Sequence, residues 1–400
     1  MQNNIKQKNK SLTSPFPLIV WMLTGCIGLI GSNSLALGPI APTIAASFGS
    51  EVQQVMLASA AFGLGTALGA LALGQVIDRV GPRRTLAYVM LIMALGFFGC
   101  GIANGAMVLV ASQFLVGLSA GVALPAIYTL AAVVALPGHE GRTIGVVLTG
   151  WTISMVAGVP LSTLIADGFG WRMFYFTIAV AALAAGAGML LNGRKQEERA
   201  GSAAGSPITA LAIKGVLPLL AACACFMAAF YGVYAYVGNH LHINLGYPVR
   251  ANGLAAVFYG LGFGSAVFLD RHMDAHSGRR ILLPVLFLAV ALVFVLMALL
   301  SGSYIGMLVV MAIWGLANHF GLNVLIMRLT ALEPTQRGAI MGLNSAVTYL
   351  ALFAGTIAMG KVYAAEGFIS LALCGAVLSL LACAFALFAV RAKTVQRASA

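Results

Sequence analysis

Twelve stretches of predominantly apolar residues run through the 400-residue chain, near positions 18–37, 55–74, 86–102, 107–134, 144–165, 173–191, 216–237, 251–269, 281–300, 304–327, 339–359 and 368–390. A helix of about 20 residues crosses the roughly 30 Å of hydrocarbon in a bilayer. Each stretch is therefore read as a membrane span. The composition demands the same environment: 61% hydrophobic and 8% charged, with a mean hydropathy of +0.98, is more apolar side chain than a water-soluble domain of this length can cover.

The spans fall into two similar sets. Asp78, Arg83 and Arg84 recur as Asp274, Arg279 and Arg280, at an offset of 274 − 78 = 196. Upstream of each cluster, Phe62-Gly63-Leu64-Gly65 answers Tyr259-Gly260-Leu261-Gly262, at an offset of 259 − 62 = 197. Two registrations agreeing within one residue indicate a duplicated unit, and a long internal repeat in an apolar chain points to a transporter. The expected fold is an all-α membrane protein with two pseudo-symmetric six-helix bundles. Its expected divisions are a tail (1–17), an N-terminal bundle (18–191), a linker (192–213), a C-terminal bundle (214–390) and a second tail (391–400). The linker carries Arg194, Lys195, Glu197, Glu198 and Arg199 followed by small residues, and no loop is long enough for a soluble catalytic or regulatory domain.

Cationic loops are retained on the cytoplasmic side of a membrane. With twelve crossings and both ends inside, only Arg172, Arg250 and Lys361 fall outside, which leaves 22 − 3 = 19 cationic residues inside. The net charge of +12 is thus an orientation signal, with both termini cytoplasmic in an inner membrane, and not a nucleic-acid footprint. Lys6, Lys8 and Lys10 ahead of the first span imitate a signal peptide. Removing that span would leave eleven helices and break the repeat, so it is kept as a crossing. All six cysteines (Cys26, Cys100, Cys223, Cys225, Cys374 and Cys383) fall within spans and read as small apolar residues, with no metal, disulfide or cofactor framework expected.

The segment Gly74-Gln75-Val76-Ile77-Asp78-Arg79-Val80-Gly81-Pro82-Arg83-Arg84 resembles the signature loop between the second and third helices of the major facilitator superfamily, and the likeness extends over essentially the whole chain. The resemblance implies that Gly74, Asp78, Arg79, Gly81, Arg83 and Arg84, with Asp274, Arg279 and Arg280, control gating. Asp78 would face the positive end of the eleventh helix near Arg337 and Gly338 and latch the outward-facing state. The fifth span carries Gly150 and then Gly158, Pro160, Gly170 and Trp171, which resembles the antiporter motif of twelve-helix drug:proton antiporters, in the variant of sugar, purine and chloramphenicol exporters. Read on residues alone, Gly158 permits close packing, Pro160 frees a carbonyl and bends the helix, and Trp171 is an interfacial anchor.

Two departures from that pattern matter. Gln113 stands where the fourth helix of the family usually carries an arginine, so that arginine's proton-relay role does not transfer. All ten acidic residues also map to loops or span ends, which leaves His319 as the ionisable group inside a span and the possible proton site. Candidate cargo contacts are Asn33, Gln113, Phe226, Phe230, Tyr234 and Asn323, on the first, fourth, seventh and tenth spans that family analogy places around the cavity. Phe226, Phe230 and Tyr234 form a four-residue stripe able to stack on an aromatic ligand. Gly65 and Gly69, and Gly117 and Gly121, are small pairs four apart that let helices approach closely.

Gly117-Leu118-Ser119-Ala120-Gly121 spells a serine-hydrolase pattern, but it lies inside a span without the required strand-to-helix turn. No phosphate-binding Gly-Lys-Ser/Thr loop is present, so direct ATP drive is not expected. The expectation is a secondary transporter and not an enzyme: it exports a drug-, sugar- or nucleobase-like small molecule by alternating access in exchange for protons, as a monomer among membrane lipids. The rivals are an uncoupled facilitator or importer, a lipid hydrolase using Ser119, and a ligand receptor.

Overall fold

The computed structural model describes residues 16–73, 75–136, 139–191, 207–269 and 281–398. Among these, twelve long helices follow one another and no strand occurs. They are α1 (Leu18–Phe48), α2 (Val52–Ala72), α3 (Pro82–Gly101), α4 (Ala106–Val134), α5 (Glu140–Phe169) and α6 (Trp171–Leu191), then α7 (Val216–Asn244), α8 (Val249–Ser265), α9 (Leu282–Leu300) and α10 (Tyr304–Thr330). The last helical run, Arg337–Ala398, breaks at Gly367, whose φ of 79° suits a residue without Cβ, into α11 (337–366) and α12 (368–398). Because the chain reverses at each turn, Leu18, Leu191 and Val216 share one end of the bundle, called here the linker end. The turns after α1, α3, α5, α7, α9 and α11 mark the far end.

The first span is longer than the sequence suggests. α1 continues past Leu37 to Phe48, through Pro39 and Pro42, and is capped by Gly49 at φ 58°. Proline removes a helix hydrogen bond, but neighbouring helices in a membrane compensate such breaks. The same stretch is tied to the other half, where the Asn252 side-chain amide of α8 donates to the Pro39 carbonyl at 2.8 Å. At the far end, the Trp171 indole N–H donates to Ser47 Oγ at 3.0 Å, and the Arg172 guanidinium sits 4.4 Å from the Trp171 ring centre while donating to the Ala103 carbonyl. That cluster ties α6 to α1 and to the turn after α3.

Lipid gives helices no hydrophobic reason to associate, so close backbone packing through small residues takes over. Between α2 and α4, a Cβ on Gly65 would lie 2.5 Å from the Phe114 carbonyl oxygen, one on Gly121 would lie 2.6 Å from the Ala70 nitrogen, and one on Gly117 would run into the Phe62 carbonyl. The α8–α10 pair repeats this design, with Gly315 under the Tyr259 carbonyl and Gly262 against Ala312. The offsets are 259 − 62 = 197 for the carbonyls and 315 − 117 = 198 for the glycines beneath them. The duplication visible in sequence is therefore a duplication of packing.

The two halves meet with the same symmetry. Gly63 of α2 abuts Leu352 and Tyr349 of α11, and Gly260 of α8 abuts Met155 and Val156 of α5. Both pairs map onto each other at one offset, 260 − 63 = 197 and 352 − 155 = 197. On the pseudo-axis itself, Gly38 of α1 faces Ala235 of α7, again 235 − 38 = 197 apart. Two copies of one bundle, face to face, account for all three contacts.

Candidate functional site: the seam between the halves

The seam is closed from mid-height to the far end. Gly238 approaches Pro39, with 2.8 Å between a Cβ there and the Pro39 Cα, and Gly253 of α8 lies against Thr163 and Pro160 of α5. Arg250 and Asp167 add an exposed ion pair at 3.9 Å between α8 and α5. On α1, α2, α5, α7 and α11 the contacts between halves named here lie in the middle or far parts of the helix, whereas on α8 they reach Gly264, beside Thr152, near that helix's linker end.

The α5 motif sets how α5 lies on α1. Gly150 packs where a Cβ would come within 2.9 Å of Ile27 Cβ and 3.0 Å of the Gly28 nitrogen. One turn on, Gly31 of α1 leaves room for Ser154 and the Trp151 ring, and Gly158 leaves room for the Ser32 side chain. Between them the backbone widens into a π-helical turn, Ser154–Gly158, immediately before Val159 and Pro160. A wide turn before a proline is a recurrent means of bending a helix while keeping its hydrogen bonds.

Asn33 and Gln113 form a reciprocal amide pair: Asn33 Nδ2 donates to Gln113 Oε1 at 3.0 Å and Gln113 Nε2 donates to Asn33 Oδ1 at 2.9 Å. Gln113 Nε2 also approaches the Tyr175 hydroxyl at 3.4 Å. Both amides are almost wholly buried, at 3% and 1% exposure, so the pair joins α1, α4 and α6 within the N-terminal half. Unpaired, either group would cost about 1–3 kcal/mol.

The stripe on α7 faces inward to its own half. Phe226 packs 5.0 Å from Phe287 of α9, while Phe230 and Tyr234 join Tyr259 of α8 and Trp314 of α10 in an aromatic cluster. The Asn318 side chain braces that cluster by donating to the Tyr259 hydroxyl at 3.0 Å. His319, half-buried, stands edge-on to Phe263 of α8 at 4.9 Å, and Asn323 lies one turn further along α10.

At the linker end, Gly81 takes φ 91° and Pro82 opens α3, so the turn after α2 is built on a conformation that glycine tolerates. The Arg83 Nε–H donates to the Met189 carbonyl at 3.2 Å and pins this turn to α6, while Arg79 and Arg84 are exposed. Gly74, the Asp78 side chain, Asp274, Arg279 and Arg280 lie outside the described residues.

Another group on the seam did not stand out in the sequence. The Trp151 indole of α5 faces the Tyr128 hydroxyl of α4, the Tyr231 hydroxyl of α7 faces Ser34 of α1, and Tyr349 of α11 lies within electrostatic reach of both Tyr128 and Tyr231. Tyr349 in turn packs edge-on to Phe62 of α2 at 6.1 Å. A signal did exist for Tyr231. Ala228 and Ala235 share its face of α7 and are the residues met by Gly355 and Gly38.

Two homologous six-helix bundles closed against each other on one side define a membrane transporter. The model of the Major Facilitator Superfamily matches residues 21–356. The chain belongs to that superfamily. It is similar to the uncharacterized MFS-type transporter YwfA of Bacillus subtilis, 27% identical over 400 residues that cover 97% of this chain and 95% of that one. It is also similar to a chloramphenicol resistance protein of Streptomyces lividans, 31% identical over 176 residues, 44% of each chain. Among solved structures, a bacterial homologue of the human lysosomal transporter Spinster, in an inward-facing and unoccupied conformation, superposes with a TM-score of 0.79 at 16% identity, over 94% of this chain and 97% of that one.

Proposed function

We propose that the protein exports a small organic molecule, of drug, sugar or nucleobase type, across the inner membrane in exchange for protons, as a single chain with both termini in the cytoplasm. The observation that carries this reading is the one-sided closure of the seam, in which α1–α7 and α2–α11 meet in their middle and far parts and α5 meets α8 from its middle, at Thr152, to its far end. Halves related by pseudo-symmetry can rock to the opposite closure by exchanging equivalent contacts, which is alternating access. The distribution of Lys and Arg orients the linker end toward the cytoplasm, so this state takes up cargo from inside. The α5 motif and the chloramphenicol resistance relative support export and an organic cargo. Gly74, Asp78, Arg79, Gly81, Arg83 and Arg84, with Asp274, Arg279 and Arg280, close the linker end in the alternate state, and His319 carries the proton.

Everted membrane vesicles energised by respiration test the proposal. Cargo drawn from a panel of antibiotics, sugars and nucleosides accumulates inside them, and a proton ionophore abolishes the accumulation. His319→Gln removes the ionophore-sensitive part. One observation favours a second reading, uncoupled facilitation: Gln113 forms a neutral amide pair with Asn33. In that case vesicles equilibrate the cargo at the same rate with or without the ionophore.

A further inference from the structure

Ser34, Tyr128, Trp151, Tyr231 and Tyr349 come from five helices and from both halves, yet they converge on one level of the seam. Trp151 is seated on Gly31, where a Cβ would lie 2.9 Å from its ring, so its position is set by the α1–α5 contact. Trp151 and Tyr231 stay partly accessible although they sit three or more turns from either end of their helices, and Tyr128, also partly accessible, lies within two turns of the linker end of α4. Ser34 Oγ is buried, at 7% exposure, and the polar group it meets is the Tyr231 hydroxyl from the other half.

The chemistry of this wall is narrow. It offers aromatic faces, hydroxyls and one indole N–H. Among the described residues every Asp, Glu, Lys and Arg lies in a loop or within a turn or two of a helix end. His319 sits on the C-terminal side of the seam against Phe263, outside this group of five.

We propose that these five side chains form the cargo site and that they select uncharged, flat molecules bearing hydroxyl or amide groups. The proposal rests on the transport reading given above and specifies its substrate class. Aromatic faces hold a planar ring in offset or edge-on contact, and the Tyr hydroxyls, Ser34 and the Trp151 N–H match hydroxyl and amide groups in both donor and acceptor roles. A cargo with a full charge leaves water without gaining a counter-charge, and ring faces return only part of that loss to a cation. The penalty for an unpaired charge at mid-membrane corresponds to a roughly 70- to 400-fold loss of affinity.

The test uses purified protein in liposomes and three probes sharing one phenol ring: N-acetyltyramine (neutral amide), tyramine (cation) and 3-(4-hydroxyphenyl)propionate (anion). Binding is read by thermal shift against concentration, and movement by counterflow of the labelled probe. The amide probe is expected to bind at least 10-fold more tightly than either charged one, and to be the one that moves. Tyr231→Phe and Ser34→Ala, which remove single hydroxyls, are each expected to weaken the amide probe about fivefold without lowering the unfolding temperature of the empty protein. If a charged probe binds and moves as well as the amide, charge selection is overturned while transport stands. If the amide binds equally to both variants, this wall is not the site. If none of the three probes binds or moves, and no compound of the wider panel does, the transport reading falls as well.

Discussion

A single methyl group at Gly63 should shift the balance between the two closures of the seam. In the present closure a Cβ at Gly63 would stand 2.8 Å from the Tyr349 carbonyl oxygen and 3.1 Å from the Phe353 nitrogen, against an ordinary contact of 3.4 Å or more. Those are backbone atoms of α11, so relief requires α2 and α11 to separate by about 0.6 Å, the difference between contact and 2.8 Å. Overpacking of this size costs about 1–3 kcal/mol. Because the contact lies between halves, the cost falls on this closure and is absent once the halves rock apart here. The ratio of the two states then moves about 5- to 150-fold toward the alternate one. Gly117→Ala is the matched control, since it strains α2 against α4 inside one half and does so in both states. Spin labels at Glu51→Cys and Ala364→Cys, which line one cavity between α2 and α11 at the far end, report the separation in lipid nanodiscs once the six native cysteines are replaced. Gly63→Ala should deplete the short distance, and Gly117→Ala should leave it unchanged while lowering the unfolding temperature. An unaltered short-distance fraction in folded Gly63→Ala protein would refute the argument.

Replacing Asn33 by Leu leaves the Gln113 side-chain oxygen without its donor and is expected to destabilise the N-terminal half by about 1–3 kcal/mol in denaturant unfolding, with part of the loss recovered in the Asn33→Leu/Gln113→Leu double variant. Asp167→Ala is expected to change stability by under about 1 kcal/mol, because its pair with Arg250 is open to solvent; a larger loss would mean that the pair controls closure. Pro160→Ala restores a backbone N–H after the π-helical turn, and is expected to slow transport in vesicles several-fold while leaving the amount of folded protein unchanged. In the turn after α10, the Thr335 hydroxyl at 2.7 Å and its N–H at 3.3 Å hold the Glu333 carboxyl below its ordinary range. A depressed value means the cap is fully formed above the unfolded carboxylate range and is lost as pH falls through the folded one. Thr335→Val should move the Glu333 midpoint upward in a carboxyl-carbon NMR titration.

Much of the architecture was legible before any coordinates. Apolar runs of membrane-crossing length identify helices because the bilayer sets their length, and the offset near 197 identifies two copies of one unit. Gly65, Gly69, Gly117 and Gly121 could be read as a close helix contact because residues four apart share a helix face, and the structure places them against the facing backbone. The apolar run of the first span stops near Leu37, whereas the helix continues through Pro39 and Pro42 to Phe48, a stretch held by contacts with distant residues such as Asn252, more than two hundred positions away.

The seam is what the tertiary structure decided. Along α7 the sequence offers Phe226, Phe230, Tyr231 and Tyr234 with no means of telling which face meets the other half. Packing turns the four-residue stripe into the C-terminal half and leaves Tyr231 facing Ser34. Likewise Asn33 and Gln113, equally polar and equally intramembrane, satisfy each other at 80 residues' separation. A helix's own sequence fixes its length and its period, both local quantities. Which face it buries depends on the rotation at which eleven other helices accept it, and that is settled only when all of them are in place.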